Sequence, residues 1–316
     1  MARWTAQDIP DQTGRTALVT GANSGLGLET ATALAAHGAR VLMACRNQEK
    51  AAGALSGVRA AAAGPTPEVV PLDLADLASV RAASEALLDK GEALDLLVNN
   101  AGVMALPLRR TPQGFEMQFG TNHLGHFALT GRLLPLLRRP ASSRVVTLSS
   151  AMHRIGRMRW EDLSWTSGYH KWPAYGQSKL ANLLFMSELD RRATAHRGAR
   201  SGGGLVSVAA HPGYASTHLQ AAGPEMGGNR LAGSMMNMAN SVFAQSAEQG
   251  ARPSLYAATM PDVQGGAFYG PDGPGEMRGY PKEVQPNGRA RNEADAARLW
   301  TISEELTEVT FDWSAA

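Results

Sequence analysis

The chain reads as an α/β fold built on a doubly wound parallel sheet, and three observations predict it. Short apolar runs alternate with longer amphipathic segments along most of the sequence. A glycine turn joins a β-branched run to a helical one near the N-terminus. The residues able to do chemistry fall just after the apolar runs. Strands are predicted near 16–20, 40–44, 68–72, 94–98, 144–149, 205–210 and 266–269, with helices near 26–37, 47–62, 76–90, 113–136, 174–195 and 245–259. Gly21, Arg46, Asp73, Asn99, Ser150 and His211 then follow strands and gather at one end of the sheet, where such folds bind ligands.

The first unit justifies itself locally. Arg15 to Thr20 is a strand-like run, Gly21-Ala22-Asn23-Ser24-Gly25-Leu26-Gly27 is the turn, and Leu28 to Ala36 has helical composition. Glycines let the backbone turn tightly and approach a phosphate, while the unpaired amides and dipole of the helix N-terminus face the anion. Asn99-Asn100-Ala101-Gly102 follows the apolar run 94–98 and marks a second strand end beside the same cofactor.

Tyr175-Gly176-Gln177-Ser178-Lys179 carries the reactive signal. Residues four apart on a helix share a face, one turn above each other. A phenol has an ordinary pKa of about 10, and an ammonium one turn away favours the phenolate. Bringing the phenol to about pH 7 requires about 4 kcal/mol of such interaction. The pair reads as an acid/base device in which Lys179 lowers the Tyr175 pKa.

Together these residues resemble the short-chain dehydrogenase/reductase family. The matching residues are Thr20-Gly21-x-x-x-Gly25-x-Gly27, Asn99-Asn100-Ala101-Gly102, Asn122, Ser150, Tyr175-x-x-x-Lys179 and His211-Pro212-Gly213, spread from about residue 15 to 270. Asn122-His-Leu-Gly-His-Phe127, Tyr175-x-x-Ser-Lys-Leu-Ala-Asn182 and the tail Arg291-Asn292 with Ala297-Arg-Leu-Trp300 look like its retinol-dehydrogenase-like branch. That branch also brings in light-dependent protochlorophyllide reductases and bacterial reductases, so it says little about substrate. The resemblance implies a Rossmann fold in one domain over 1–316, with a substrate lid near 214–243. It implies a catalytic set of Asn122, Ser150, Tyr175 and Lys179. Tyr175 would give the proton, Ser150 would hold the same substrate oxygen, Lys179 would also bind the nicotinamide ribose, and Asn122 would fix a backbone kink and a relay water. Ser150 is preferred to Ser149 by its place in the motif.

For the cofactor, Gly21, Asn23, Ser24, Gly25, Leu26 and Gly27 would meet the diphosphate, with Asn99, Ala101 and Gly102 alongside. NAD binding calls for a carboxylate on the ribose 2′-hydroxyl some twenty residues past the glycines. Here Met43-Ala44-Cys45-Arg46-Asn47 offers none, and Arg46 can grip a 2′-phosphate, so NADP (as NADPH) is expected. Asp73 and Leu74 would flank the adenine. By resemblance, Pro212, Gly213 and Thr217 would meet the carboxamide and diphosphate.

Between the glycines of 214–243 stand Met226, Met235, Met236 and Met238, suited to an apolar cleft. The insertion 151–172, with Trp160, Trp165, Tyr169 and Trp172, would be the opposite wall. A cleft so lined fits a hydrophobic aldehyde or ketone and its alcohol. The histidines show no metal-ligand pattern; His123 and His126 read as packing residues, and no metal is expected. A net charge of +2 over 316 residues argues against nucleic acid. One cysteine, Cys45, suits a reducing cytoplasm. No apolar N-terminal core or 18-residue apolar window is present, so neither signal peptide nor membrane span is expected. Richness in Ala, Arg and Gly suggests a bacterial source. A homo-oligomer stays open, since many relatives form dimers or tetramers. The competing readings are a non-catalytic NADP-binding regulatory protein, against which the intact proton-donor set weighs, and a structural protein, which needs no glycine turn.

Overall fold

Strands whose residues are apolar on both sides belong in a sheet covered on both faces, and the sheet found is of that kind. The computed structural model describes residues 3–196, 204–214 and 245–314. Its strands are β1 (Thr16–Thr20), β2 (Arg40–Cys45), β3 (Glu68–Pro71), β4 (Leu96–Asn99), β5 (Ser142–Leu148), β6 (Gly204–Ala210), β7 (Phe268–Pro271) and β8 (Pro281–Glu283), in the order β3-β2-β1-β4-β5-β6-β7-β8. Every pairing is parallel except the last, where β8 lies antiparallel on the edge. The order reverses between β1 and β4, which opens a crevice at their carboxyl ends.

One face of the sheet is covered by α1 (Gly25–Ala36), α2 (Gln48–Ala61) and, late in the chain, Ala247–Thr259. On the other lie α3 (Leu77–Lys90), α4 (Gly125–Arg132), α5 (Lys171–Ala195), and Glu293–Thr307. Numbered in chain order, the two late helices are α6 (Ala247–Thr259) and α7 (Glu293–Thr307). Among the described residues no helix is long and apolar enough to cross a membrane.

α5 decides where the reactive residues sit. Its 25 residues span about 37 Å. Phe185 on α5 lies 5.5 Å from Phe127 of α4 and 6.0 Å from Trp300 of α7, ring centre to ring centre, with Phe311 4.3 Å from Trp300. Such aromatic contacts fix rotation as well as distance. The helix N-terminal half is pressed against the turn after β5. A side chain at Gly156 would collide with the Gly176 carbonyl, and one at Gly176 would crowd Met152 O at 3.0 Å. Two glycines therefore let the turn after Ser150 lie directly on the helix that bears Tyr175.

The structure departs from the expected elements in two respects. The helix expected near 113–136 is broken: a short turn at Met117–Phe119 passes into a π-helical stretch, Gly120–Leu124, before α4 begins, and a last turn, Leu134–Leu137, starts at a proline. In the π stretch the Gly125 amide reaches back to Gly120 O, one residue further than in an α-helix. β8 and α7 fall outside the strands and helices read from periodicity. The segment expected as a lid is described only at Tyr214; the rest, with Thr217, Met226, Met235, Met236 and Met238, lies outside the described residues.

Three histidines are sealed in the layers that hold the crevice: His123, His126 and His153, none more than 1% exposed. Burial first of all pulls their pKa values down, to about 3, 4 and 4. All three are neutral in the fold but free to take a proton once the chain unfolds. The unfolded chain therefore binds more protons between about pH 6.5 and 4, and stability falls as pH drops through that window. Urea unfolding at pH 7 and pH 5 should differ by about 2 kcal/mol or more, with the protein weaker at pH 5. Equal stability at the two values would mean that these rings accept protons without unfolding.

Candidate active site

The glycine turn after β1 is shaped by close approach. Gly21 and Gly25 have φ of +66° and +52°, backbone that side chains rarely adopt. A methyl at Gly27 would strike the Gly21 carbonyl and lie 2.5 Å from Asn100 Nδ2. Ser24 stands at the N-cap of α1, yet its side chain makes no capping hydrogen bond. The amides of the first turn of α1 thus remain a cradle for an anion, and the residues fit a dinucleotide diphosphate. Asn23, Ser24 and Leu26 border that cradle.

Thr20 ties this turn to the loop after β4. Its Oγ1 accepts the Asn100 and Ala101 amides, each at 2.9 Å, and Asn100 Nδ2 donates to Thr20 O at 2.7 Å. His126 continues the link. Its Nδ1 lies 3.0 Å from Asn122 O, a carbonyl that can only accept, so the proton is assigned to Nδ1. Nε2, 2.9 Å from Thr20 Oγ1, then accepts the threonine hydroxyl. His126 and Asn100 were not among the expected site residues, although Asn100 lies inside a quoted motif. Asn99, which was, turns its side chain into the core, where Nδ2 donates to Thr130 Oγ1 at 3.1 Å. Only its backbone is left to face the crevice.

Asn122 sits in the π-helical stretch, fully buried. Its side chain is held from three directions: Oδ1 accepts Val103 N at 2.7 Å, and Nδ2 donates to Val103 O and to Ser178 Oγ, both at 2.9 Å. Gly102 lies against it, since a Cβ there would be 3.0 Å from Asn122 Oδ1 and 3.6 Å from Lys179 Nζ. Asn122, Gly102 and Lys179 are therefore neighbours.

Ser150 follows β5 and caps the turn Ala151–Arg154, its Oγ accepting Met152 N at 3.3 Å. Its side chain lies near enough to the Tyr175 hydroxyl to favour the phenolate slightly. Ser149 points elsewhere: its hydroxyl donates to Lys179 O at 2.8 Å. Lys179 Nζ lies 5.7 Å from the centre of the Tyr175 ring and donates to Leu148 O at 3.1 Å.

The electrostatics correct one expectation. Lys179 does not bring the Tyr175 phenol toward neutrality in this arrangement. Burial pushes the phenol up to about 12, and the nearby Ser150 only tempers this. Burial likewise pulls Lys179 down to about 8. The cause is common to both: each is enclosed, and leaving water penalises whichever form is charged.

The other expected residues divide. Arg46 is exposed directly after β2 and makes no hydrogen bond or ion pair to any described residue. Asp73 is partly buried and folds back on its own loop, Oδ1 accepting Ala75 N at 2.9 Å, with Leu74 buried beside it. His211-Pro212-Gly213 follows β6, and Gly213 turns with φ +67°. The aromatic wall is mostly a packing device. Trp165 is buried beneath the Arg159 guanidinium at 4.2 Å, Trp160 lies beneath Arg298 at 4.6 Å, and the Tyr169 hydroxyl donates to Leu106 O at 2.7 Å. Trp172 alone of the four is exposed.

A family model described as short chain dehydrogenase matches residues 15–226. Retinol dehydrogenase 14 of Mus musculus is 41% identical over 306 residues, which cover 94% of this chain and 86% of that protein. The crystal structure of an uncharacterized protein from Mycobacterium paratuberculosis has a TM-score of 0.79 at 42% identity, over 98% of this chain and 100% of that one. An NADP active-site complex of Pseudomonas aeruginosa RhlG has a TM-score of 0.62 at 25% identity, over 82% of this chain and 94% of that one. On the glycine cradle, the sheet order and these likenesses, the chain belongs to the short-chain dehydrogenase/reductase family, in its retinol-dehydrogenase-like branch, and is an NAD(P)-dependent oxidoreductase.

Proposed function

We propose that the chain is an NADP-dependent oxidoreductase that interconverts a hydrophobic aldehyde or ketone and its alcohol, with Tyr175 as the acid/base. One observation carries this reading: Lys179 lies one helical turn from Tyr175, its Nζ 5.7 Å from the centre of the Tyr175 ring, with Ser150 close enough to bear on the phenol. When bound, the nicotinamide supplies the hydride to the carbonyl carbon. Negative charge then grows on the carbonyl oxygen, and donors must already be in place to meet it. Tyr175 gives its proton to that oxygen and Ser150 orients it. The alkoxide is more basic than a phenolate, so a phenol held near 12 still transfers its proton downhill. Lys179, with a pKa of about 8, is mostly charged at pH 7 and stabilises the phenolate as it forms. Asn122 holds the loop at Val103 and the helix at Ser178 in register with Lys179.

The cofactor assignment rests on charge. Gly21, Gly25 and Gly27 with the first amides of α1 take the diphosphate, Ala101 and Gly102 line its far side, and Asp73 and Leu74 flank the adenine. Arg46, exposed at the end of β2 with no carboxylate beside it in the sequence, takes the 2′-phosphate. Pro212 and Gly213 meet the carboxamide. An apolar substrate is supported by the exposed side chains around the site: Leu108, Ile155, Trp172 and Met277 belong to the segments next to Gly102, Ser150, Tyr175 and Gly213. Relatives named retinol dehydrogenase point to the same class, a hydrophobic alcohol. Cys45, buried and pushed up to about 11 by that burial, suits a reducing compartment such as the cytoplasm.

NADPH should bind at least tenfold tighter than NADH, a difference of about 1.4 kcal/mol. Titrating both cofactors into the protein and into Arg46→Asp checks this; the variant should lose or reverse the preference, and equal affinities in the unmodified protein would remove the role given to Arg46.

Tyr175→Phe removes one oxygen and keeps the ring. Folding and NADPH binding should survive while NADPH-dependent reduction of a hydrophobic aldehyde falls by about 10²–10⁴-fold. Turnover at the normal rate would show that another group donates the proton.

A further inference from the structure

Glu276 has a backbone conformation that few side chains adopt. Its φ is +57°, in the left-handed region that disfavours a side chain, and it directly follows Gly275 at +62°. Its carboxylate joins the turns that follow two adjacent strands, β5 and β6. Oε2 lies 3.0 Å from His211 Nε2, and Oε1 accepts Arg154 at 2.8 Å. The His211 ring is wholly buried, and its Nδ1 accepts the Gly213 amide at 3.2 Å, so the ring proton is assigned to Nε2 and points at Glu276. The ring lies directly against the backbone of Gly270 in β7, where any side chain would occupy its place. Arg154 ends the turn that Ser150 caps, and in the same turn His153 Nδ1 donates to Ser150 O at 2.7 Å. The segment around Glu276 also touches the turn after β6 through its backbone, Met277 O accepting Tyr214 N at 2.7 Å.

We infer that Glu276 is a positioning residue: its carboxylate clamps the turn bearing Ser150 to the His211-Pro212-Gly213 turn, and so fixes the distance between the group that orients the substrate oxygen and the backbone that meets the nicotinamide. This rests on the NADPH-dependent reduction proposed above. A residue that holds this distance affects the alignment of hydride donor and carbonyl more than the binding of either, because a misplacement of about 1 Å can cost about 10²-fold in rate.

Glu276→Gly removes the carboxylate and relieves the left-handed backbone, so it tests the clamp without adding strain. Glu276→Gln keeps the acceptor for His211 but loses the charge that holds Arg154. Arg154→Met cuts one arm at an exposed residue. Each is compared with the unmodified protein by steady-state kinetics with NADPH and a hydrophobic aldehyde, NADPH fluorescence titration, and thermal unfolding. The expected result for Glu276→Gly is a kcat at least tenfold lower, with NADPH affinity within about threefold and an unchanged melting temperature. Glu276→Gln and Arg154→Met should recover part of the lost rate. Unchanged kcat in Glu276→Gly overturns the clamp, as does a lowered melting temperature with kcat intact in the folded fraction. Should Glu276→Gly not fold, Arg154→Met decides: normal kcat in that variant overturns the clamp. No NADPH-dependent reduction by the unmodified protein with any aldehyde or ketone would instead overturn the functional reading itself.

Discussion

The Lys179 ammonium is enclosed with no carboxylate to meet it among the described residues, and much of the crevice is arranged around that cost. Its depressed pKa has burial as its cause, and the hydrogen bond that receives it comes from a neutral carbonyl, Leu148 O. Removing a charge from water is expensive unless other groups are oriented toward it. Here the end of β5 does that work. Leu148 O also accepts Asn182 Nδ2 at 2.9 Å, so the strand terminus and one face of α5 are locked to each other. His126 is kept neutral partly by the same lysine, since a second positive charge nearby would be disfavoured. A neutral His126 can then accept the Thr20 hydroxyl while donating to Asn122 O, which a doubly protonated ring could not.

That arrangement connects parts that sequence separation hides. Thr20, Asn100 and His126 join the diphosphate turn to the π-helical stretch carrying Asn122, and Asn122 joins it to α5 through Ser178. The reactive groups therefore sit on a hydrogen-bonded frame of strand ends and a long helix, a more exact support than free loops provide. The π-helical stretch belongs to the same logic. A regular α-helix from Met117 onward would rotate every later residue, and the added residue per turn places Asn122 toward Val103 while His126 still faces Thr20.

Legibility in the sequence followed how local each signal was. β1 to β7 could be read because strands buried on both faces are short apolar runs, and the reactive pair because Tyr175 and Lys179 are one turn apart on a regular helix. The π-helical stretch could not, because one extra residue in a turn leaves the apolar spacing of a helix nearly unchanged. The aromatic residues of 151–172 pointed to a cleft, yet Trp160 and Trp165 are taken up by Arg298 and Arg159, partners far away or turned inward by the fold. Ser150 is preferred by motif position alone; that Ser149 is spent on the backbone of α5 needed the register of β5. Glu276 lies far from every motif in the chain and is drawn to the site only by the pairing of β7 with β8.

The corrected Tyr175 pKa changes how the pair is understood. A phenol near 12 and an ammonium near 8 are both driven toward their uncharged forms by one enclosure. For carbonyl reduction the pressures oppose each other only weakly, since the protonated phenol is the form required and the lysine stays charged below about pH 8. For alcohol oxidation the phenolate is needed, and enclosure works against it. With Tyr175 in the acid/base role proposed above, the charge on Lys179 offsets that enclosure, so its protonation bears on both directions. The residues that govern this are those that hold Nζ: Leu148 O, and behind it the seam between β5 and α5.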